Sequence, residues 1–314
     1  MSWILIALIA PAVWAIVNYI DEYLLKEFDF GPLALSVFSG VAGSFLLLGF
    51  VFLFKFSSLT IPSLTEIALL IFTGITVYLF ISFNLFALDD GEASVVSPLF
   101  LFSVIFSYIL GIIFLGELIE VQRLFGVVCI MIGSFIIAAE PGQKLFGKVR
   151  GKIMMLMMFG SFFAALSATI FRYVAEPKGD AFFWTAVFWQ HIGLLFASLF
   201  AMLYVWITRT FVLSGEMSMG WKDIFRKGKV VAIANFTNES LATVGNVALG
   251  FALILSPAAL VLTVAEGFQP LFVIVYGFIL SKMYPKIFAS NGERLLAKGI
   301  AATIMCIGVA LVLL

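Results

Sequence analysis

Long apolar runs, joined mostly by short polar connections, dominate the chain. A helix that crosses a bilayer needs about 20 mostly apolar residues. Ten runs meet this requirement, at about 2–20, 33–54, 66–88, 93–115, 121–139, 152–174, 181–207, 230–254, 258–280 and 296–314. Each run is longer than the roughly ten-residue alternating strands of a membrane β-barrel. The pattern therefore predicts an all-α polytopic membrane protein with ten transmembrane helices.

Composition supports a membrane protein. Of the 314 residues, 63% are hydrophobic and 11% are charged, whereas a soluble domain carries about 25% charged residues. The formal net charge is +0, which gives no indication of a nucleic-acid partner. Cys129 and Cys306 lie inside apolar runs without metal-ligand spacing, so we expect free thiols, no metal and no cofactor.

The chain divides into two weakly similar halves. Five runs precede the polar segment 140–152 and five follow it. "GVVCIMIGSFII" and "AATIMCIGVALV" align without a gap on Gly133 and Gly308. Because five is an odd number, a second copy enters the membrane upside down, as in many transporters. We predict two inverted five-helix repeats, residues 1–145 and 146–314, within one membrane domain.

One segment carries a family resemblance. The run "GEASVVSPLFLFSVIFSYILGIIFLGELIEVQRLFGVVCIMIGSFII" contains Ser97-Pro98, Leu115-Gly116-Glu117, and then Gln122, Gly126 and Gly133. This pattern resembles the EamA repeat of the drug/metabolite transporter superfamily, and Trp14 stands where that family has a tryptophan in its first span. In the second half, Leu280-Ser281-Lys282 replaces Leu-Gly-Glu. The resemblance implies ten helices, a central cavity and transport by alternating access.

Orientation gives two conflicting expectations. Fourteen Lys and Arg residues lie in the connections after spans 1, 3, 5, 7 and 9, and four lie in those after spans 2, 4, 6 and 8. The excess of cations in cytoplasmic loops therefore places both termini away from the cytoplasm. The family resemblance implies termini inside the cytoplasm.

Three ionisable residues stand near mid-span: His191, Glu239 and Glu266. A charge there costs about 2.5–3.5 kcal/mol on insertion scales, so such residues usually face a cavity or a partner. Asn235, Glu239 and Asn246 share one helical stripe. Glu266 is followed by Gly267 and Pro270, which predict a locally weakened helix and a freed carbonyl.

Spacing on the other spans extends this polar set. The predicted substrate-binding residues are Trp14, Asn18, Thr76, Asn84, Trp184, His191, Asn235, Glu239, Asn246, Glu266 and Gln269. Glu239 and Glu266 are the predicted proton-coupling groups, and no residue is assigned to catalysis or to metal binding. The alternative interpretation is that these side chains only hydrogen-bond neighbouring helices.

The distribution of charge favours certain solutes. Transporters of phosphorylated solutes need cations around the phosphate, and the deepest cation, Arg172, lies near the end of its span. We therefore expect a proton-coupled secondary transporter, an exporter or an exchanger, of a small cationic, zwitterionic or neutral organic metabolite. Glu117, at a span end, is expected to be an interfacial or loop-capping residue and not a substrate ligand. A lipid flippase or scramblase is the alternative; an embedded enzyme is disfavoured, because the chain has 1 histidine.

The expected partners are the solute and the lipid bilayer, without nucleic acid. The glycine-bearing fifth and tenth spans are expected to support the bundle or to form a homodimer. The expected location is a plasma membrane or a bacterial inner membrane.

Overall fold

The structure, a computed structural model of the chain, describes residues 2–26, 31–117, 120–138, 148–208, 229–283 and 295–313. These residues form helices and short connections. The ten main helices are α1 Ser2–Lys26, α2 Pro32–Phe54, α3 Leu64–Asp90, α4 Ala93–Leu115, α5 Val121–Ala138, α6 Lys148–Ala175, α7 Phe183–Thr208, α8 Lys229–Leu255, α9 Ala258–Met283 and α10 Leu295–Leu313.

Length and composition qualify most of these helices as membrane spans. Within the described residues, eight are long and apolar enough to cross a bilayer, and α5 and α10 contain shorter apolar stretches, Val121–Gly133 and Thr303–Val312. The all-helical prediction is confirmed, eight of the ten predicted spans qualify among the described residues, and the other two stay predictions. We call the membrane side at which α1 begins side A and the opposite side side B.

Local sequence fixes several helix ends. α2 begins with Pro32, whose missing N–H is not needed in the first turn. α3 begins with a reciprocal capping box, in which the Ser63 N–H donates to Glu66 Oε2 at 2.8 Å and the Glu66 N–H donates to Ser63 Oγ at 3.4 Å. These signals are local, so the sequence predicts both boundaries to within about two residues.

The interrupted helix is α4, and this corrects the expectation for the ninth span. α4 passes from an α-turn into a 3-10 segment, Ser97–Leu101, then an α-helix, Phe102–Leu110, and a π-helical turn, Gly111–Leu115. Gly116 ends it with φ 65°, a backbone conformation that favours glycine. α9 stays helical through Pro270, because one proline removes a single intrahelical hydrogen bond.

The helices pack in pairs that relate the two halves. α1 packs against α8 and α9, and α6 packs against α3 and α4. α2 contacts α7, and α5 contacts α10. Each helix of the first half has a counterpart five helices later, so that α1 corresponds to α6. With this correspondence, the contacts of α1 with α8 and α9 become the contacts of α6 with α3 and α4, and the other two pairs map onto themselves. An inverted repeat predicts this pattern, and the repeat itself stays a prediction.

Glycines allow the closest helix contacts. A Cβ at Gly193 of α7 would overlap the backbone carbonyl of Ile71 in α3. In the pair α5 and α10, a Cβ at Gly126 would lie 2.6 Å from Gly308 O, and the reverse substitution would lie equally close to Gly126 O. The expectation that the fifth and tenth spans support the bundle agrees with this contact. These glycines already pack within one chain, so they give no separate support to a homodimer.

Polarity is inverted relative to a soluble protein. Large apolar side chains such as Leu53, Phe200 and Trp206 are exposed around the bundle, whereas Glu239 and Glu266 are buried inside it. A protein in water does not expose so much apolar surface. Lipid therefore covers the outside, and the chain is an integral multi-pass membrane protein.

Candidate functional site

A cavity of about 150 Å³ lies inside the bundle. Side chains of α1, α2, α3, α4, α6, α7, α8 and α9 line it, so helices of both halves of the chain contribute. Its polar and tryptophan lining residues are Trp14, Asn18, Asp21, Ser39, Asn84, Ser167, Gln190, His191, Asn238, Glu239, Asn246, Glu266 and Gln269. Among the described residues that line it there is no Lys or Arg.

The structure brings most of the predicted binding residues together. Those that line the cavity are Trp14, Asn18, Asn84, His191, Glu239, Asn246, Glu266 and Gln269. Thr76, Trp184 and Asn235 are not among the lining residues. The binding and proton-coupling roles assigned to all of these residues stay predictions.

The three residues outside the lining have other surroundings. Thr76 Oγ1 donates to the Thr73 carbonyl at 2.8 Å, within its own helix. The Trp184 ring packs on Phe183 with ring centroids 5.0 Å apart and lies 5.4 Å from Lys55 Nζ, which places it at side A. Asn235 is buried at 1% exposure. Helical spacing gives a stripe, but neighbouring helices decide which part of it reaches the cavity.

Glu239 belongs to an acidic group that draws on three helices. Asn238 Nδ2 donates to Asp21 Oδ1 at 2.7 Å. The Glu239 carboxyl group interacts with Ser39 and Asn238 by hydrogen bonds and electrostatically with Asp21. α2 approaches closely here, since a Cβ at Gly43 would lie 3.1 Å from Glu239 Oε2.

Asp21 and Asn238 are not among the binding residues that the sequence predicts. The structure buries Asp21 to 6% exposure and Asn238 to 1%. A signal for Asp21 was available, because Trp14, Asn18 and Asp21 have the spacing i, i+4, i+7 of one helical face. No local signal pairs Asp21 with Asn238, since the two residues are 217 positions apart.

Glu266 lies apart from this group, on α9. Its side chain is 3% exposed, and its Oε2 has no hydrogen-bond partner among the described residues. The same is true of Oε1 of Gln269, one turn further along the helix. Buried polar atoms are nearly always paired in folded proteins. Two unpaired acceptors therefore lie on the cavity wall.

His191 and Gln190 form the α7 wall. His191 Nδ1 lies 2.9 Å from the Val187 carbonyl, which can only accept, so Nδ1 carries the proton and Nε2 is left as an acceptor. Gln190 Nε2 donates to Ser167 Oγ at 3.3 Å, and that hydroxyl donates to the Thr73 carbonyl at 3.2 Å. This chain fixes the amide beside the cavity.

A buried arginine closes the bundle at side A. Arg172 Nη1 donates to the Leu253 carbonyl at 2.7 Å and also to the Ser256 carbonyl, at the end of α8. Its Nη2 donates to Glu176 at 2.5 Å, and its Nε lies 3.7 Å from Glu117 Oε1. Burial raises the pKa of the Glu117 carboxyl more than Arg172 lowers it. Glu117, expected to cap a loop, thus joins the end of α4 to α6.

A bundle of membrane-crossing helices around an interior cavity with several polar lining residues is typical of polytopic transport proteins. Residues 1–139 match the EamA-like transporter family, over the part of the chain that carries Trp14 and Leu115-Gly116-Glu117. The resemblance to the EamA-type transporters of the drug/metabolite transporter superfamily is confirmed over these residues.

Solved structures support the fold. A structure titled only "Crystal structure of protein" superposes with a TM-score of 0.66 over 99% of this chain and 96% of the other, at 13% identity. At this identity the likeness shows the fold alone. No curated protein matches the chain.

Proposed function

We propose that this chain is a secondary active transporter that moves a small polar organic metabolite by alternating access, coupled to protons through Glu239 and Glu266. The observation that carries the proposal is the interior cavity that both halves of the chain line, with buried carboxyl groups on its wall. Burying such groups in a membrane is costly, so they usually mark ion or substrate paths.

The lining chemistry supports a cationic, zwitterionic or neutral solute. The cavity lining offers carboxyl and amide oxygens, and no Lys or Arg among the described residues contributes a counter-ion for phosphate. Trp14 adds an aromatic ring that can contact a cation. A volume of about 150 Å³ suits a small metabolite, since drug-sized ligands fill sites of about 300–1,000 Å³.

In the proposed cycle, the two repeats, residues 1–145 and 146–314, move relative to each other so that the cavity opens first to one membrane side and then to the other. Rocking of one repeat against the other is the usual movement of inverted-repeat transporters. The paired contacts of α1 with α8 and of α6 with α3 supply two matching interfaces for this movement. The Glu117–Arg172 ion pair crosses from the first repeat to the second at side A, so opening at that side has to separate it.

Proton coupling is tested in liposomes that contain the purified protein. A solute found by thermal-shift screening of amines, amino acids, sugars and nucleotides is loaded, and its flux is measured with and without a pH gradient. We expect the gradient to change the wild-type flux at least about tenfold. In Glu239→Gln and Glu266→Gln, exchange at saturating solute concentration should persist while the response to the gradient falls.

The matched control is Glu120→Gln, because this carboxylate is 61% exposed in its ion pair with Arg123 and lies away from the cavity. Its gradient response should equal that of the wild type. An unchanged gradient response in both cavity variants contradicts the proposed coupling.

A flippase or scramblase needs a polar groove that is open to lipid. The carboxyl-bearing residues of this cavity are instead 3–6% exposed even without lipid around the bundle. This burial favours a solute that is enclosed between the helices.

A further inference from the structure

The cavity holds carboxyl groups at two levels of the bundle. Tyr19 on α1 donates from its hydroxyl to the Val273 carbonyl on α9, at 2.8 Å. Both helices run from side A to side B, so this contact sets their relative height. Tyr19 and Val273 lie at the same height. Glu266 lies seven residues before Val273, so it is level with the residue seven positions before Tyr19, which is position 12 of α1. Asp21 lies nine residues further toward side B, about 14 Å along the axis at 1.5 Å per residue.

The group nearer side B consists of Asp21, Asn238 and Glu239. Because the Asp21 carboxylate can only accept, the contacting atom of Asn238 is its Nδ2, and its Oδ1 is left without a partner among the described residues. One unpaired acceptor, Asn238 Oδ1, thus lies in a group that also holds the Asp21 and Glu239 carboxyl groups. A primary ammonium group carries three donors and a positive charge, which fits this group.

The group nearer side A consists of Glu266 and Gln269. Each has one buried side-chain oxygen without a partner among the described residues. Glu266 is 3% exposed and Gln269 is 2% exposed, and both line the same cavity. This second group offers a second place for an ammonium cation.

By the same arithmetic, the part of the wall between the two levels contains Trp14, Val17 and Asn18 of α1 and Asn246 of α8. Trp14 and Val17 give this part apolar surface that a methylene chain can contact. The reach of the two carboxyl side chains shortens the 14 Å axial offset, so a flexible chain of several methylene groups can join the levels.

We propose that the cargo is a linear aliphatic diamine, with one primary ammonium group bound by Asp21, Asn238 and Glu239 and the other bound by Glu266 and Gln269. This assignment rests on the proposed transport function and specifies its substrate class. It also explains why the cavity keeps acids at two separate depths.

The test is a thermal-shift titration of the purified full chain at constant ionic strength. The probes are diamines from 1,3-diaminopropane to 1,8-diaminooctane, with butylamine and hexylamine as single-amine references. We expect an affinity maximum within the diamine series, with the best diamine binding at least tenfold more tightly than hexylamine. A flat series, or equal affinity for diamines and monoamines, overturns the proposal without the need for any variant.

Variants then assign the two ends. Glu266→Gln should reduce the affinity for the best diamine to that for hexylamine and leave hexylamine binding unchanged. Asp21→Asn should weaken both ligands at least tenfold. The control Glu120→Gln should leave both affinities unchanged. Retention of the full diamine preference in Glu266→Gln overturns the assignment.

A liposome counterflow assay separates this proposal from the broader one. If another solute of the screen exchanges but the diamines neither bind nor exchange, the cargo assignment is wrong and the transporter proposal stands. If the diamines bind but neither they nor any other screened solute exchanges, the binding assignment stands and the transport proposal is contradicted.

Discussion

Arg172 gives the sharpest test of how the structure is held together at side A. It is 6% exposed, and its guanidinium joins the end of α6 to two carbonyls at the end of α8. Replacement by glutamine removes the charge and leaves the Leu253 and Ser256 carbonyls without this donor. We expect a large loss of stability, because these acceptors and the Glu117 carboxylate lose a charged partner.

The magnitude follows from the contacts. A hydrogen bond from a charged group contributes about 1.5–3 kcal/mol, so the two carbonyl contacts together contribute about 3–6 kcal/mol. The pair with Glu176 adds about 0–1 kcal/mol, because that carboxylate is 46% exposed. Glutamine is neutral, so the variant no longer has the free-energy cost of burying the guanidinium charge, and this offsets part of the loss. Removal of one partner from a buried ion pair typically costs about 3–5 kcal/mol. At roughly 2 °C per kcal/mol, Arg172→Gln should lower the unfolding midpoint by about 6–10 °C.

The assay is thermal unfolding of the detergent-solubilised protein, followed by size-exclusion chromatography of the fraction that remains folded. Lys178→Gln is the matched control, because Lys178 pairs with Glu66 at 2.6 Å but is 39% exposed. Its loss should change stability by about 0–1 kcal/mol. If Arg172→Gln lowers the midpoint no more than Lys178→Gln does, the closure at side A does not depend on the arginine.

Substitutions test two further features of the bundle, the Glu117 carboxyl group and the contact of α3 with α7. Since burial raises the pKa of Glu117 above its ordinary 4.5, its contribution to stability is full below that value and is lost as pH rises through the folded-state pKa. The difference between the unfolding midpoints of the wild type and of Glu117→Gln should therefore decrease as pH rises above about 4.5, and an increase would contradict the sign. Gly193→Ala should cost about 3 kcal/mol, since its Cβ would overlap the Ile71 carbonyl, whereas Gly49→Ala, with open space around its Cβ, should change stability by less than about 0.5 kcal/mol. Equal midpoints for the two alanine variants would show that α3 and α7 can separate at no cost.

Sequence alone identified the polar groups that are hardest to explain in a membrane. Glu239, Glu266 and His191 stand out because a charge in an apolar run is costly wherever the helix lies. The structure places all three on the cavity wall. Sequence could not separate Asn246, which lines the cavity, from Asn235 on the same stripe, which does not. Neighbouring helices cover part of the polar stripe on a helix, and only the uncovered part lines the cavity.

The number of helices, their approximate ends and their burial in lipid were determined by the sequence, because run length, hydropathy and capping are local properties. Contacts across the chain were decided only by tertiary structure. The pairing of Asp21 with Asn238, the contact of Arg172 with the end of α8, and the interruption of α4 instead of α9 all depend on helix rotation and packing. Rotation about a helix axis changes no local preference of the sequence, so only the fit of one helix against the others fixes it.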